Sequence, residues 1–177
     1  MQPAKILSLI HSLAAYERAS SSVAATPGLL AASLSFAPSP ANPSGDPVSP
    51  SRPARTLLIF SPKNDDDDGD DNGTPQGMAL YFYNYSTWTA RPGIYLEDLF
   101  VREAARGRGY GARLLAELAR EVLDMGGARL DWSVLRWNEP SIRFYERIGA
   151  TRMDEWMGCR VDGEALLRLS RRARGDN

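Results

Sequence analysis

The chain has 177 residues, of which 43% are hydrophobic, and a formal net charge of −1 at neutral pH. The length suits one ordinary domain, and the near-neutral charge excludes the broad basic field on which nonspecific nucleic-acid binding depends. Cys159 is the only cysteine, which excludes an intrachain disulfide framework and any multi-cysteine zinc site. No apolar run has the length that spans a bilayer, so we expect a cytoplasmic protein that binds neither nucleic acid nor membrane.

The first segment, residues 4–18, is predicted to be an amphipathic helix. Its apolar residues recur every three or four positions among polar ones, and they are Ile6, Leu9, Ile10, Leu13 and Tyr16. A targeting peptide is the alternative interpretation of this stretch. Thr26 followed by Pro27 has the pattern of a helix N-cap with proline at the first helical position, which predicts a short second helix that ends near Phe36.

Two polar stretches interrupt the chain and are predicted to be flexible insertions in a single domain that spans residues 1–177. Residues 37–54 hold six of the twelve prolines, and this composition buries too little apolar surface to offset the entropy of ordering. Residues 63–76 carry six aspartates, but their spacing does not match an EF-hand calcium loop, so no metal site is predicted. Residues 56–60, between the two stretches, have strand character.

The densest apolar pattern lies in residues 77–169, which hold the predicted core elements. Residues 78–85 and 94–101 are apolar on both faces and are rich in Tyr, Phe, Leu and Val. A turn with Pro92-Gly93 separates them. This pattern predicts two central antiparallel strands.

Helical and strand patterns alternate after these strands. Residues 112–125 carry an apolar stripe at helical spacing and predict a helix that stops at Gly126. Residues 129–135 alternate apolar and polar, which predicts a half-buried strand parallel to the second central strand, because a helix joins the two. Pro140 opens a further helix, and residues 151–169 are predicted to hold one or two strands. The elements together predict a mixed α/β fold with a mostly antiparallel central sheet flanked by helices.

The segment that joins the second central strand to the following helix is rich in glycine and arginine: Arg106-Gly107-Arg108-Gly109-Tyr110-Gly111. The first N–H groups of a helix have no helical partners, and the helix dipole favours negative charge there, so a phosphate would bind at this point. Glycine permits positive φ and close approach of the backbone to a ligand, and the arginines add positive charge. A glycine turn without a ligand is the alternative interpretation.

A Rossmann dinucleotide site is a second alternative for the same loop. Asp131 stands twenty residues past Gly111, in the place of the acid that binds the ribose. However, the glycine spacing is G-x-G-x-G rather than G-x-G-x-x-G, and the preceding strand carries Glu97-Asp98. We therefore favour a phosphate site of another kind.

Three motifs stand in a fixed order in this part of the chain. Arg106-x-x-Gly109-x-Gly111 matches the R/Q-x-x-G-x-G/A signature of the GNAT superfamily, in its usual place between a strand and a helix. Residues 94–101, Ile-Tyr-Leu-Glu-Asp-Leu-Phe-Val, precede it, and residues 137–145, Trp-Asn-Glu-Pro-Ser-Ile-Arg-Phe-Tyr, follow it. Together the motifs resemble the diamine acetyltransferases, the spermidine/spermine N-acetyltransferase group of that superfamily. The resemblance covers residues 77–169 and, more loosely, residues 4–36.

The resemblance implies acetyl-CoA as the co-substrate, no metal, and a coenzyme A site made of three segments. Backbone groups of the strand hold the acetyl-pantetheine arm, the glycine loop holds the pyrophosphate, and a third segment lines the cofactor. The implied residues are Leu99, Phe100 and Val101 in the strand, Arg106, Gly107, Arg108, Gly109, Tyr110, Gly111 and Ala112 in the loop, and Asn138, Glu139, Pro140 and Ser141 in the third segment.

The resemblance also implies the catalytic groups. Tyr145 matches the proton donor to the departing thiolate, and Glu97 matches an acidic contact of the substrate amine. Further substrate contacts are implied at Tyr16, Glu17, Asp131, Trp132 and Ser133. The chemistry favours these residue types independently. A protonated amine must lose a proton before it attacks a thioester, and a carboxylate such as Glu97 can take it directly or through water, while a phenol such as Tyr145 can protonate the leaving thiolate.

The implied reaction is direct transfer of an acetyl group to a primary amine, with a polyamine or a lysine-like small amine as the first choice. A protein N-terminus or lysine as the acceptor, and a catalytically idle module that binds coenzyme A or a partner protein, are the alternatives. The resemblance also implies a homodimer.

Two features depart from the family pattern. Residues 1–5 leave no room for the strand that usually precedes the first helix, so either the sheet lacks this strand or the start of the sequence is incorrectly assigned. Ile148 stands where relatives have a basic contact to the cofactor. His11 and Cys159 have no recognisable partner in the sequence and are assigned no role.

Overall fold

The computed structural model of the protein describes residues 2–40, 42–62 and 73–173. It contains two compact units, Met1–Leu135 and Arg136–Asn177. The aspartates of the second polar stretch, at positions 65–71, lie outside the described residues. The single domain expected from the sequence stays a prediction.

Two helices at the start of the first unit confirm the sequence prediction. Helix α1 comprises Gln2–Tyr16, and helix α2 comprises Pro27–Ser33. The Thr26 side chain accepts a hydrogen bond from the Leu29 backbone N–H at 3.2 Å, which is the N-cap that the Thr-Pro pair predicts. Helix α2 ends at Ser33, three residues earlier than expected.

A four-stranded sheet forms the centre of the first unit, in the order β1-β2-β3-β4. The strands are β1 (Ala54–Ile59), β2 (Gly77–Ser86), β3 (Arg91–Val101) and β4 (Leu130–Trp132). The pairs β1–β2 and β2–β3 are antiparallel, and β3–β4 is parallel. The predicted α/β class, the central position of β2 and β3, and the parallel partner of β3 are all confirmed.

An irregularity in β3 changes which of its side chains face each side of the sheet. Leu80 of β2 pairs with Asp98, but Tyr81 pairs with Leu96, so Glu97 is an extra residue in a β-bulge. Side chains alternate along a strand, and the extra residue reverses this alternation. Leu96 therefore faces one side of the sheet while Asp98 faces the other.

Helices α1 and α2 cover the face on which Asp98 lies. Their apolar side chains form one cluster with the sheet, made of Ile6, Leu9, Leu30, Leu34, Ala54, Met78 and Phe100. Ile6, Leu9 and Met78 are at most 1% exposed. Each such side chain contributes about 1.5–3 kcal/mol when it is removed from water, so this cluster fixes α1 against the sheet.

Helix α3 (Tyr110–Asp124) covers the opposite face and confirms the predicted helix, although it begins two residues earlier. It buries Leu114, Leu115, Leu118 and Val122. Its polar contact with the sheet is made by Glu121, which accepts hydrogen bonds from the hydroxyls of Tyr81, at 2.7 Å, and Tyr83. These contacts hold the C-terminal part of α3 against β2.

Arg52 attaches the proline-rich stretch to helix α2. Its guanidinium donates hydrogen bonds to the Ala31 carbonyl at 2.9 Å and the Leu34 carbonyl at 2.8 Å, at the C-terminal end of the helix. The Ser35 hydroxyl in turn donates to the Arg52 carbonyl at 2.8 Å. The flexibility expected of this stretch stays a prediction.

The second unit contains α4 (Glu139–Arg147) and α5 (Gly163–Arg172). The first confirms a predicted helix, whereas the strands predicted in residues 151–169 are wrong. A strand needs a neighbour to pair with, and the described residues 151–161 are exposed and form no ladder. The later part folds as a helix, with Glu164 in its first turn and Arg171 and Arg172 in its last, where the helix dipole favours these charges.

Candidate active site

The loop between β3 and α3 has the backbone conformation that its glycines predict. Gly107 has φ +78° and Gly109 has φ +80°, and a Cβ added to either residue would have no heavy atom within 4 Å. Glycine is therefore required here for its conformation, because non-glycine residues rarely adopt positive φ. Gly109 is the N-cap of α3 and supplies no side-chain cap. The first amides of the helix therefore receive no side-chain cap from this residue, as an anion site requires.

Arg106 begins this loop, and its side chain turns back towards the body of the first unit. Its Nε donates a hydrogen bond to the Val101 carbonyl at 3.1 Å. Its guanidinium lies 5.0 Å from the centre of the Tyr16 ring and 6.0 Å from that of the Phe100 ring. The arginine therefore connects the loop to the end of β3 and to the end of α1.

One edge of β3 is open beside this loop. Pairing with β2 continues to Val101, whereas the described ladder with β4 stops at Leu96. The predicted pantetheine-binding residues Leu99 to Val101 are therefore paired on one side only within the described part of the chain. An extended, peptide-like ligand can hydrogen-bond to such an edge in the manner of an added strand.

Three carboxyl groups meet near the bulge of β3. Glu97 is exposed at the bulge, Asp98 is half-buried, and Glu17 follows the last residue of α1. Burial, together with the charges of Glu97 and Glu17, raises the pKa of Asp98 to about 6. Burial also raises the pKa of Glu17. The cluster thus has a negative field and one carboxyl whose pKa is close to neutral.

The structure brings the predicted residues Glu97 and Glu17 together and adds Asp98, which sequence reasoning did not assign to the site. A signal for Asp98 was present, because two adjacent acids in an otherwise apolar central strand are unusual. Without the bulge, however, alternation would place Glu97 and Asp98 on opposite faces. The sequence gives no sign of where the bulge lies.

A second polar group lies further along the same face of the sheet. Asp131 accepts a hydrogen bond from Asn84 Nδ2 at 2.9 Å, and its ion pair with Arg129 Nε measures 2.7 Å. Beside it, the hydroxyls of Tyr95 and Ser133 are 2.7 Å apart. The predicted substrate contacts Asp131 and Ser133 are thus brought to the face that carries Asp98.

Trp132 lies on the other side of the sheet. It pairs in register with Leu96, whose partner Tyr81 reaches Glu121 of α3. The indole therefore lies on the face that α3 covers, apart from Asp131 and Ser133. Its predicted role as a substrate contact stays a prediction.

The second unit holds the remaining predicted residues. The Asn138 side chain accepts a hydrogen bond from the Ser141 backbone N–H at 3.4 Å and caps α4, and Pro140 occupies its first turn. The Tyr145 ring lies 5.3 Å from that of Phe144. These contacts account for the local fold, and the cofactor and proton-donor roles of this segment stay predictions.

A family model described as the acetyltransferase (GNAT) family matches residues 46–150. The match contains the strand motif, the glycine loop and the motif that ends at Tyr145. No helix among the described residues is long and apolar enough to cross a membrane.

Several curated proteins are similar to the chain over about half of its length. An L-ornithine N5-acetyltransferase, NATA1, from Arabidopsis thaliana is 40% identical over 95 residues, which are 54% of this chain and 42% of that protein. A thialysine N-epsilon-acetyltransferase from Sus scrofa is 38% identical over 106 residues, which cover 55% of this chain and 62% of that protein. A spermidine/spermine N(1)-acetyltransferase-like protein 1 from Homo sapiens is 32% identical over 97 residues, covering 53% of this chain and 14% of that protein. The chain thus spans less than two thirds of each relative.

Proposed function

The chain belongs to the acetyltransferase (GNAT) family, and on this basis we propose that it transfers the acetyl group of acetyl-CoA to a primary amine of a small molecule. The relatives support acetylation of small amines, because two are named for acetylation of ornithine and thialysine, and a third is named as a spermidine/spermine N(1)-acetyltransferase-like protein. A polyamine or a lysine-like amine is accordingly the proposed acceptor.

The observation that carries the proposal is the position of β3, which connects the candidate site for the amine to the candidate site for coenzyme A. The acidic cluster lies at its bulge, and the glycine loop follows its end after a short 3-10 turn, Glu103–Ala105. The intervening distance from Asp98 to Val101 is on the order of 10 Å at a rise of about 3.3 Å per residue. The open edge of β3 lies between them and is available to the arm of the coenzyme.

The residues at the start of α3 fit the phosphates of coenzyme A. The uncapped amides after Gly109 would receive the pyrophosphate, and the positive φ values of Gly107 and Gly109 give these amides their direction. The side chain of Arg108 adds charge to the same exposed loop. When bound, acetyl-CoA supplies an acetyl group that is activated as a thioester.

The acidic cluster serves the amine. An ammonium ion is attracted by Glu97, Asp98 and Glu17, and a carboxylate then takes its proton directly or through water. Asp98 suits this role because its pKa, about 6, leaves it ionised at neutral pH while making it a stronger base than an ordinary aspartate. The nitrogen then bonds to the carbonyl carbon as the carbon–sulfur bond breaks.

A backbone N–H of the open edge of β3 would stabilise the developing oxyanion. Tyr145 is proposed to give a proton to the thiolate sulfur, and the second proton that the nitrogen loses after attack restores the phenol through water. The products are then the amide and the free thiol. This assignment is supported by the position of Tyr145 in the third motif. The homodimer and the cytoplasmic location implied by the sequence also remain proposals.

The test is release of coenzyme A thiol across a panel of amines, with binding of coenzyme A measured separately by calorimetry. We expect turnover with small amines and none in their absence. Turnover only with peptides would favour the protein-directed alternative. Binding of coenzyme A without turnover on any acceptor would favour the idle module and overturn the proposal.

A further inference from the structure

We propose that Arg129, Asp131 and Asn84 form a subsite for the zwitterionic head of an α-amino acid, so that the preferred acceptor is a diamino acid and not a diamine or a polyamine. This inference rests on the proposed acetylation of small amines and specifies its substrate class.

The contacts of Asp131 leave one of its oxygens available to a ligand. Asn84 Nδ2 and Arg129 Nε both reach Oδ2, at 2.9 Å and 2.7 Å. Both contacts are therefore made to the same carboxylate oxygen. Within the described part of the chain, Oδ1 accepts no hydrogen bond. The Asp131 side chain is 40% exposed, so an ammonium group can approach it.

Arg129 is similarly available. Its Nε forms the ion pair with Asp131. A guanidinium has four further N–H donors on its two Nη atoms, and their arrangement suits a bidentate contact with a carboxylate. Its side chain is 46% exposed. An α-ammonium at Asp131 Oδ1 and an α-carboxylate at Arg129 would satisfy both members of the pair.

The charges at the two ends of this face differ, and the difference favours a diamino acid. The end at Glu17, Glu97 and Asp98 is strongly negative and suits the amine that is acetylated. At the other end the charges of Arg129 and Asp131 cancel, which matches a head group with one positive and one negative charge. The second ammonium of a diamine would instead meet the Arg129 guanidinium.

The spacing and the surface between the two ends suit a short aliphatic chain. Asp131 pairs in register with Tyr95, and Asp98 follows three residues later, which corresponds to roughly 10 Å at about 3.3 Å per residue and less across the bulge. The Tyr95 ring stacks on Phe82 at 5.2 Å and provides an apolar floor between the ends. A few methylene groups with one hydrogen bond at each end span this distance.

Gly93 explains how the subsite is assembled. A Cβ at this position would lie 2.5 Å from Asn84 Oδ1 and 2.9 Å from the Arg129 carbonyl oxygen. Only glycine therefore allows Asn84 and the segment formed by Arg129 and β4 to approach this closely. The convergence of the three side chains depends on this residue of β3.

The experiment compares pairs of acceptors that differ only in the α-carboxylate: ornithine with putrescine, and lysine with cadaverine. We expect the unmodified chain to have a kcat/KM about tenfold to a hundredfold higher for the amino acid of each pair, the effect of one hydrogen bond to a charged group. Equal or higher values for the diamines would overturn the subsite and leave amine acetylation standing. Absence of turnover with all four would remove both proposals.

A variant provides the second arm. Arg129→Met should remove most of the preference for the amino acids and raise kcat/KM for the diamines, because Asp131 then offers an unopposed charge. Arg120→Met, which removes an exposed arginine of α3, should leave the preference unchanged. An equal loss for all four acceptors in Arg129→Met would contradict the proposal, and the comparison on the unmodified chain does not depend on how the variant folds.

Discussion

The guanidinium of Arg106 lies 5.0 Å from the centre of the Tyr16 ring, and its Nε donates to the Val101 carbonyl at 3.1 Å. The first residue of the glycine loop is therefore attached to both β3 and α1. Sequence pattern assigned Arg106 to the phosphates by its charge, whereas these contacts favour a role in holding the loop. Because Glu17 follows Tyr16, the same contact connects the proposed donor and acceptor sites.

Substitution of Arg106 should test whether its shape or its charge matters. Arg106→Lys keeps the charge but loses the planar stack and the Nε donor, and Arg106→Met loses all three. A cation–π contact and a hydrogen bond together contribute about 1–2 kcal/mol, so we expect both variants to raise the acetyl-CoA KM by about five- to thirtyfold. Arg108→Met is the charge control. Full recovery in Arg106→Lys would show that Arg106 acts through its charge alone.

Gly109→Ala should strain the backbone of the loop without a steric clash. An alanine at φ +80° is strained by about 1–2 kcal/mol, while its Cβ meets nothing within 4 Å. We expect a lower melting temperature and weaker binding of coenzyme A in calorimetry. Gly28→Ala is the matched control, because Gly28 lies in the first turn of α2, where alanine is the better helix former, and its added Cβ has ordinary contacts only. Equal effects of the two substitutions would contradict a special conformation at Gly109.

Local patterns account for the parts of the fold that the sequence predicts well. Thr26-Pro27 marks the start of α2 because a cap needs only its own neighbours, and the glycine loop is recognisable because positive φ selects glycine. The order of β2, β3, α3 and β4 can be predicted because the spacing of apolar residues along the sequence changes between strands and helices. Each of these features is present within a few residues of sequence.

The features that were missed depend on partners distant in the chain. The bulge at Glu97 exists only in the register between β3 and β2. The hydrogen bond from Asn84 to Asp131 joins β2 and β4, the two strands that flank β3. Residues 151–161 show the converse, because a pattern of strand type does not form a strand when no neighbour pairs with it.

Glu121→Ala should destabilise the first unit through a buried hydroxyl. Tyr81 is 2% exposed and donates to Glu121, so its hydroxyl would lose its acceptor, at a cost of about 1–3 kcal/mol in the free energy of unfolding. The same truncation in a Tyr81→Phe background should cost less. Glu117→Ala, which removes only exposed ion pairs of the same helix, should have a much smaller effect in denaturant titrations. Additive losses from Glu121 and Tyr81 would contradict the coupling.

Asp98→Asn should stabilise the protein while it lowers acetyl transfer. Folding raises the pKa of Asp98 from 3.8 to about 6, so at neutral pH the native state carries a carboxylate that its surroundings disfavour. At about 1.36 kcal/mol per pKa unit, the neutral amide should raise the free energy of unfolding at pH 7 by up to about 3 kcal/mol. Activity should fall in the same variant, because the amide cannot take a proton from the amine.

The pH dependence of stability distinguishes this cause from others. An acid with a raised pKa in the folded state binds its proton more tightly there. The stabilisation that protonated Asp98 adds to the free energy of unfolding is therefore fully present below about pH 4 and is lost as the pH rises to about 6. The gain from Asp98→Asn should therefore grow across this window and vanish below it in denaturant titrations. Asp124→Asn, at an exposed acid of α3, should show no such gain. A less stable Asp98→Asn at pH 7 would mean that the carboxylate is favoured by its surroundings, contrary to the raised pKa.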